Sequence, residues 1–264
     1  MNTIFKPIDH SWVAIHSDPI GIVEFIGGAL FGSVPIYSYD YFLRSLYEVC
    51  YTVIALPFRF GLNHQYIAET LLAERDEVFK EIAESHQGLP RFWVGHSLGC
   101  KYITLLEAAK KLWDQPSLLI APDISDTKEA VPVLLVPELL DKIGYGVKPT
   151  REETRKIIEE SNLFNLTALI SFDQDKVAGT DSETDEKSDA ALFIHELEGK
   201  NNRNLLRKQI PGKHEEIVGL RVRNINGSVS FVDIDLSDGI FENSKERQLE
   251  PLVIDFLAKL GSRI

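Results

Sequence analysis

The chain has 264 residues, 44% of them apolar and 26% charged, enough to fill a large core behind a solvated surface, which excludes disorder of the whole chain. Acidic residues outnumber basic ones 40 to 28, a net charge of −12 that repels phosphates and argues against a nucleic-acid partner. Its two cysteines, Cys50 and Cys100, form no CxxC pair, which argues against a disulfide framework or a thiolate metal site.

The length suits one α/β domain. Met1 to Ile15 contains no basic region followed by an apolar run, so no secretory leader is expected and a cytoplasmic place fits. A first strand is expected at Trp12–Ile15 and a second at Ile22–Ile26. The apolar stretch from Ile20 to Tyr37 is interrupted by Glu24 and by glycines at 27, 28 and 32, which speaks against a transmembrane helix. A helix over Tyr39–Val49 leads to a strand at Thr52–Leu56, and a helix over Gln65–Ser85 to a strand at Phe92–Val94. A helix over Leu98–Trp113 then leads to a strand at Ser117–Ile120.

From Pro122 to about Leu166 the alternation stops for an insertion. It holds an apolar stretch, Val131–Leu140, and a helix from Arg151 to Ser161 opened by a capping box at Thr150 and Glu153. Such an insertion is expected to form a helical cap over the carboxyl ends of the strands, where open α/β sheets bind ligands. Alternation resumes with a strand at Ala168–Phe172, a helix at Asp189–Glu198, a strand at Leu206–Ile210 and a helix at Ser244–Leu260. Asp181, Glu183, Asp185, Glu186 and Asp189 read as a mobile acidic surface loop, and Leu220–Asp235 as a hairpin turning at Asn226-Gly227. The pattern predicts an α/β fold with a mostly parallel central sheet and helices on both faces.

The strongest chemical signal is Gly95-His96-Ser97-Leu98-Gly99, a G-x-S-x-G between a short apolar strand and a helix-forming run. A bare G-x-S-x-G arises by chance in roughly one chain in ten of this length, so the flanking strand and helix matter. A nucleophile on a sharp strand-to-helix turn is lifted clear of the sheet, and the helix N-terminus offers N–H groups to a developing oxyanion. A serine hydroxyl needs a histidine to take its proton and a carboxylate to orient that histidine. After a plausible acid strand come only His195 and His214. His214 follows a strand and turn and is preferred, whereas His195 lies within a helix. Asp175, three residues past the strand ending at Phe172, is the preferred acid, with Asp173 as its rival.

Gly27 and Gly28 let the backbone approach a substrate carbonyl, which makes the N–H groups of Ala29 and Leu98 the expected oxyanion donors. The same glycines lack the G-x-G-x-x-G and Walker spacings of phosphate loops. Gly28, His96 and Phe58 are candidate substrate contacts. The loop Pro57-Phe58-Arg59-Phe60-Gly61 fits a pocket wall and a packed surface loop equally well. No His/Asp/Glu set shows metal spacing such as H-E-x-x-H, and no cofactor is expected.

The order of elbow, acid turn and histidine turn resembles the α/β-hydrolase superfamily over about residues 10 to 260. The strings Glu24-Phe25-Ile26-Gly27-Gly28-Ala29, Pro57-Phe58-Arg59-Phe60-Gly61 and Gly95-His96-Ser97-Leu98-Gly99-Cys100-Lys101 resemble a domain-of-unknown-function branch found in cyanobacteria and plant chloroplasts. The resemblance implies a hydrolase-like fold and a triad at Ser97, Asp175 and His214. It also implies a link to photosynthetic cells, including a peripheral place on thylakoids. Many superfamily members carry His-Gly at Gly27-Gly28 and a glycine at Phe172, and the Asn226-Gly227 hairpin is extra. The expected activity is cleavage of a lipid-like carboxylic ester through an acyl-enzyme. Transfer to an alcohol or thiol uses the same residues. The alternative is a non-catalytic protein that uses the fold to bind a lipid, pigment or protein partner.

Overall fold

The computed structural model describes residues 4–112, 115–124, 146–162, 164, 166–184, 186–200, 205–223, 229–233 and 247–264. The apolar stretch Val131–Leu140, most of the insertion around it and the Asn226-Gly227 turn lie outside the described residues. So do Asp185 and the first residues of the helix expected from Ser244.

Ten strands are described: β1 (Lys6–Ile8), β2 (Ser11–Ala14), β3 (Gly21–Ile26), β4 (Tyr51–Ala55), β5 (Arg91–His96), β6 (Ser117–Ile120), β7 (Thr167–Phe172), β8 (Leu206–Ile210), β9 (Gly219–Arg223) and β10 (Val229–Asp233). The first eight form one sheet in the order β1-β2-β4-β3-β5-β6-β7-β8. From β4 to β8 every pairing is parallel. At the other edge β2 runs antiparallel to β4, and β1 folds back on β2. β9 and β10 pair antiparallel as a separate ribbon.

Seven α-helices accompany them among the described residues: α1 (Pro35–Ser38), α2 (Asp40–Glu48), α3 (His64–His86), α4 (Leu98–Ala108), α5 (Arg151–Glu160), α6 (Asp189–Lys200) and α7 (Leu249–Gly261). The capping box of α5 is present: Thr150 Oγ1 accepts from the Glu153 N–H, and the Glu153 carboxylate accepts from the Thr150 N–H.

Parallel strands covered on both faces are buried throughout, and their side chains alternate between two cores. On β3, Val23 and Phe25 join one core with Phe42 and Leu46 of α2 and Val253 and Leu257 of α7. Ile22 and Ile26 join the other, with Leu71 and Val78 of α3, Leu105 of α4 and Leu197 of α6. Phe172 is a fully buried member of the first core.

After β3 the chain builds β4 on one side, then returns to lay β5 on the other. This reversal opens a crevice at the carboxyl ends of β3 and β5, where open α/β sheets bind ligands. Gly27-Gly28 and Ser97 are therefore neighbours across it. No helix among the described residues is long and apolar enough to cross a membrane.

Candidate active site

Ser97 stands between β5 and α4 with φ 53° and ψ −123°, a conformation rare for a residue with a Cβ. Its N–H donates to the Ile120 carbonyl at 3.0 Å, and its carbonyl accepts from the Cys100 N–H at 2.9 Å. The turn is possible because two glycines leave it room. A Cβ on Gly99 would overlap the Ile26 carbonyl oxygen. A Cβ on Gly28 would come within 3.1 Å of Ser97 Cβ and 3.4 Å of Ser97 Oγ, so the turn after β3 passes directly beside the serine hydroxyl.

Asp175 follows β7, and His214 opens a short 3-10 turn after β8. Asp175 Oδ1 accepts from the N–H groups of Val177 and Ala178 at 2.8 and 2.9 Å, which locks the carboxylate in one orientation. Its Oδ2 lies 2.8 Å from His214 Nδ1. On the far side of the ring, His214 Nε2 lies 2.8 Å from Ser97 Oγ. A carboxylate accepts only, so Nδ1 carries the proton and Nε2 is free to accept the serine hydrogen. Burial works against charge on His214, but the hydrogen bond and negative charge of Asp175, with Asp123 and Glu215 nearby, outweigh it and raise the imidazole above its ordinary range.

The rival acid has a different task. Asp173 Oδ1 accepts from the Gly212 N–H at 3.0 Å, and the Gln174 N–H donates to the Gly212 carbonyl, so this segment pins the loop that delivers His214. His195 projects from α6 with its side chain 72% exposed and takes no part in the site.

The N–H of Leu98, first residue of α4, has no partner within its helix. Neither it nor the Ala29 N–H donates to an acceptor among the described residues. The Gly28 N–H is not free. It donates to Tyr39 Oη at 2.7 Å, while the Gly28 carbonyl accepts from the Gly32 N–H at 2.7 Å.

A family model described as "Protein of unknown function (DUF1350)" matches residues 5–260. The chain belongs to DUF1350. No curated protein matches it. Among solved structures, the DUF1350 chain is similar to the acylaminoacyl peptidase of Pyrococcus horikoshii, at 12% identity and TM-score 0.52, over 80% of this chain and 36% of the peptidase. An acylaminoacyl peptidase in complex with Z-Gly-Gly-Phe-chloromethyl ketone gives 15% identity and TM-score 0.52 over the same shares. An S-formylglutathione hydrolase from Agrobacterium tumefaciens gives 13% identity and TM-score 0.48, over 77% of this chain and 80% of the hydrolase. The fold of this chain is thus the α/β-hydrolase fold.

Two expected substrate contacts of the DUF1350 chain prove to be interior residues. Both ring nitrogens of His96 are occupied, Nδ1 by Tyr39 Oη and Nε2 by the His214 carbonyl, each at 3.0 Å. Alternation along β5 turns the His96 ring under the site. Phe58 is buried edge-on against Tyr102, and its ring fills the space beside Gly32. Its loop therefore divides: Phe58 packs inward while Phe60 remains 41% exposed.

The expected acidic surface loop divides in the same way. Asp189 is buried at the start of α6, where it accepts from the Ile124 N–H at 2.7 Å and pairs with Arg151 at 2.6 Å. Burial, with Asp123 nearby, raises its carboxyl to about 6 against the opposing pull of Arg151 and the Ile124 N–H. Two residues of the site surroundings had no signal in the sequence. Tyr39 read as the start of a helix, and Asp123 as the beginning of an insertion. Nothing local marks a side chain whose partners lie on other strands.

Proposed function

We propose that this protein is a serine hydrolase that cleaves a carboxylic ester through an acyl-enzyme. One observation carries the reading: Asp175, His214 and Ser97 stand in a continuous line of 2.8 Å hydrogen bonds ending at a serine on a strained strand–helix turn. That arrangement is what a weak nucleophile needs to lose its proton as it attacks.

The steps follow from the geometry. His214 Nε2 takes the hydrogen of Ser97 Oγ while Oγ bonds to the ester carbonyl carbon. The carbonyl oxygen becomes an oxyanion, held by the N–H groups of Ala29 and Leu98. The carbonyl re-forms, the alcohol oxygen departs, and His214 returns the proton to it. Water then attacks the acyl-enzyme, again giving a proton to His214, and the acid leaves as Ser97 recovers its hydrogen. Asp175 holds the ring through Nδ1 and stabilises the imidazolium.

A lipid-like ester is the favoured substrate. Leu30, Phe60 and Val177, each on a loop at the carboxyl ends of the strands, expose large apolar surface. The test is a fluorophosphonate probe. It should label the wild type and fail to label Ser97→Ala, and p-nitrophenyl esters should be hydrolysed by the wild type but not by His214→Ala. Labelling that survives the serine change rejects Ser97 as nucleophile. Esterase inactivity in both proteins, with a lipid still raising the Tm, favours the binding alternative.

A further inference from the structure

Three hydrogen bonds run beneath Ser97, and elementary chemistry fixes their directions. The Gly28 nitrogen only donates, so Tyr39 Oη accepts from it at 2.7 Å. The His214 carbonyl only accepts, so His96 Nε2 carries a proton and donates to it at 3.0 Å. Burial, with His214 beside it, keeps the His96 ring neutral, which leaves a lone pair on Nδ1. Tyr39 therefore gives its single hydroxyl proton to His96 Nδ1 at 3.0 Å. The chain is Gly28 to Tyr39 to His96 to His214. Both side chains are fully or almost fully buried, so water does not stand in for a lost partner.

The placement of the anchors is informative. Gly28 precedes the proposed oxyanion donor Ala29, His96 precedes the nucleophile, and the last acceptor is the carbonyl of the base itself. The turn at Gly28 leaves β3 and the loop of His214 leaves β8, strands separated in the sheet by β5, β6 and β7. Main-chain pairing thus gives these two loops no common register. The Tyr39 and His96 side chains bridge that gap.

We propose that Tyr39 and His96 are positioning residues that hold the oxyanion turn and the His214 loop in a fixed relation about Ser97. The proposal rests on the hydrolase reading above and deepens it. Neither residue touches the reacting atoms. Both act by denying the two loops a shift of the order of 1 Å, which costs about a hundredfold in rate at a preorganised site.

Three variants test it. Tyr39→Phe keeps the ring and removes both hydroxyl bonds. His96→Gln retains a donor toward the His214 carbonyl and loses the bond to Tyr39. The third variant combines them. For hydrolysis of p-nitrophenyl butyrate, each single change should lower kcat by about ten- to a hundredfold with KM little altered. The double change should fall no further than the worse single one, because one chain is broken once. Amide exchange measured by mass spectrometry should quicken in Tyr39→Phe over peptides containing Gly28 and His214, while the Tm changes little.

Wild-type kcat in Tyr39→Phe, or losses that multiply in the double variant, overturn the proposal. If Tyr39→Phe does not fold, His96→Gln decides by the same kcat and exchange criteria. A wild type that hydrolyses no ester and takes no fluorophosphonate rejects the hydrolase reading instead. Exchange then judges the link itself: quickening at both peptides supports it, and unchanged exchange removes it.

Discussion

At His214, burial favours the neutral ring while Asp175 favours the charged one, and the carboxylate prevails. A base must be neutral before it accepts a proton, so kcat/KM for ester hydrolysis should rise with pH through a single ionisation placed above about 6.5, the ordinary imidazole value. Asp175→Asn should move that ionisation downward and lower kcat by about four orders of magnitude, since an amide orients the wrong tautomer. A pH–rate profile of the two proteins checks this. An unshifted limb in the variant would separate the ionisation from His214. The carboxylate that meets His214 was legible to within two residues in the sequence, because the strand ending at Phe172 placed both Asp173 and Asp175 at the same end of the sheet as the histidine turn. Choosing between them depended on which carboxylate meets an imidazole 39 residues later and which meets the Gly212 N–H.

At the level of elements, Asp189 joins α6 to both stems of the insertion, holding the Ile124 N–H on one side and Arg151 of α5 on the other. Arg151→Ala leaves a buried carboxylate without its cation, at a cost of about 3 kcal/mol. Asp189→Asn in the same chain should recover part of that loss. Urea unfolding of the two variants and the wild type measures both effects, and additive losses would show that the pair does not interact. The individual elements were readable because their signals are local: the box at Thr150 and Glu153 starts α5 at the expected residue. The helix expected to reach Trp113 ends at Ala108, where Lys110 takes a φ of 57° and closes it. The antiparallel edge was not readable, since β1 is three residues long and carries no period.

For the whole molecule, an unused buried acid sets a pH dependence of stability. Burial raises the Glu107 carboxyl on α4 from 4.5 to about 8, against a hydrogen bond from Ser117. Its folded pKa lies above its unfolded one. Between pH 4.5 and 8 the folded protein therefore binds more protons than the unfolded chain, and stability falls as pH rises across that window. Glu107→Gln keeps the shape without the titration. It should match the wild type near pH 4.5 and exceed it in Tm at about pH 9. A Tm difference that does not change with pH rejects the assignment.

The sequence by itself determined what depends on neighbours along the chain. The apolar runs with their intervening helices specify a parallel sheet covered on both faces. Gly95-His96-Ser97-Leu98-Gly99 specifies a serine on a tight turn, and Pro211-Gly212-Lys213-His214 places a histidine just past a strand. Tertiary structure decided everything that depends on which strand lies beside which. It paired Asp175, not Asp173, with His214, packed His96 and Phe58 in the interior, buried Asp189, and gave Tyr39 its two partners. The physical reason is reach. A turn or a cap is satisfied within a few residues, whereas a hydrogen bond between side chains 57 or 117 positions apart exists only once the sheet order has brought their strands together.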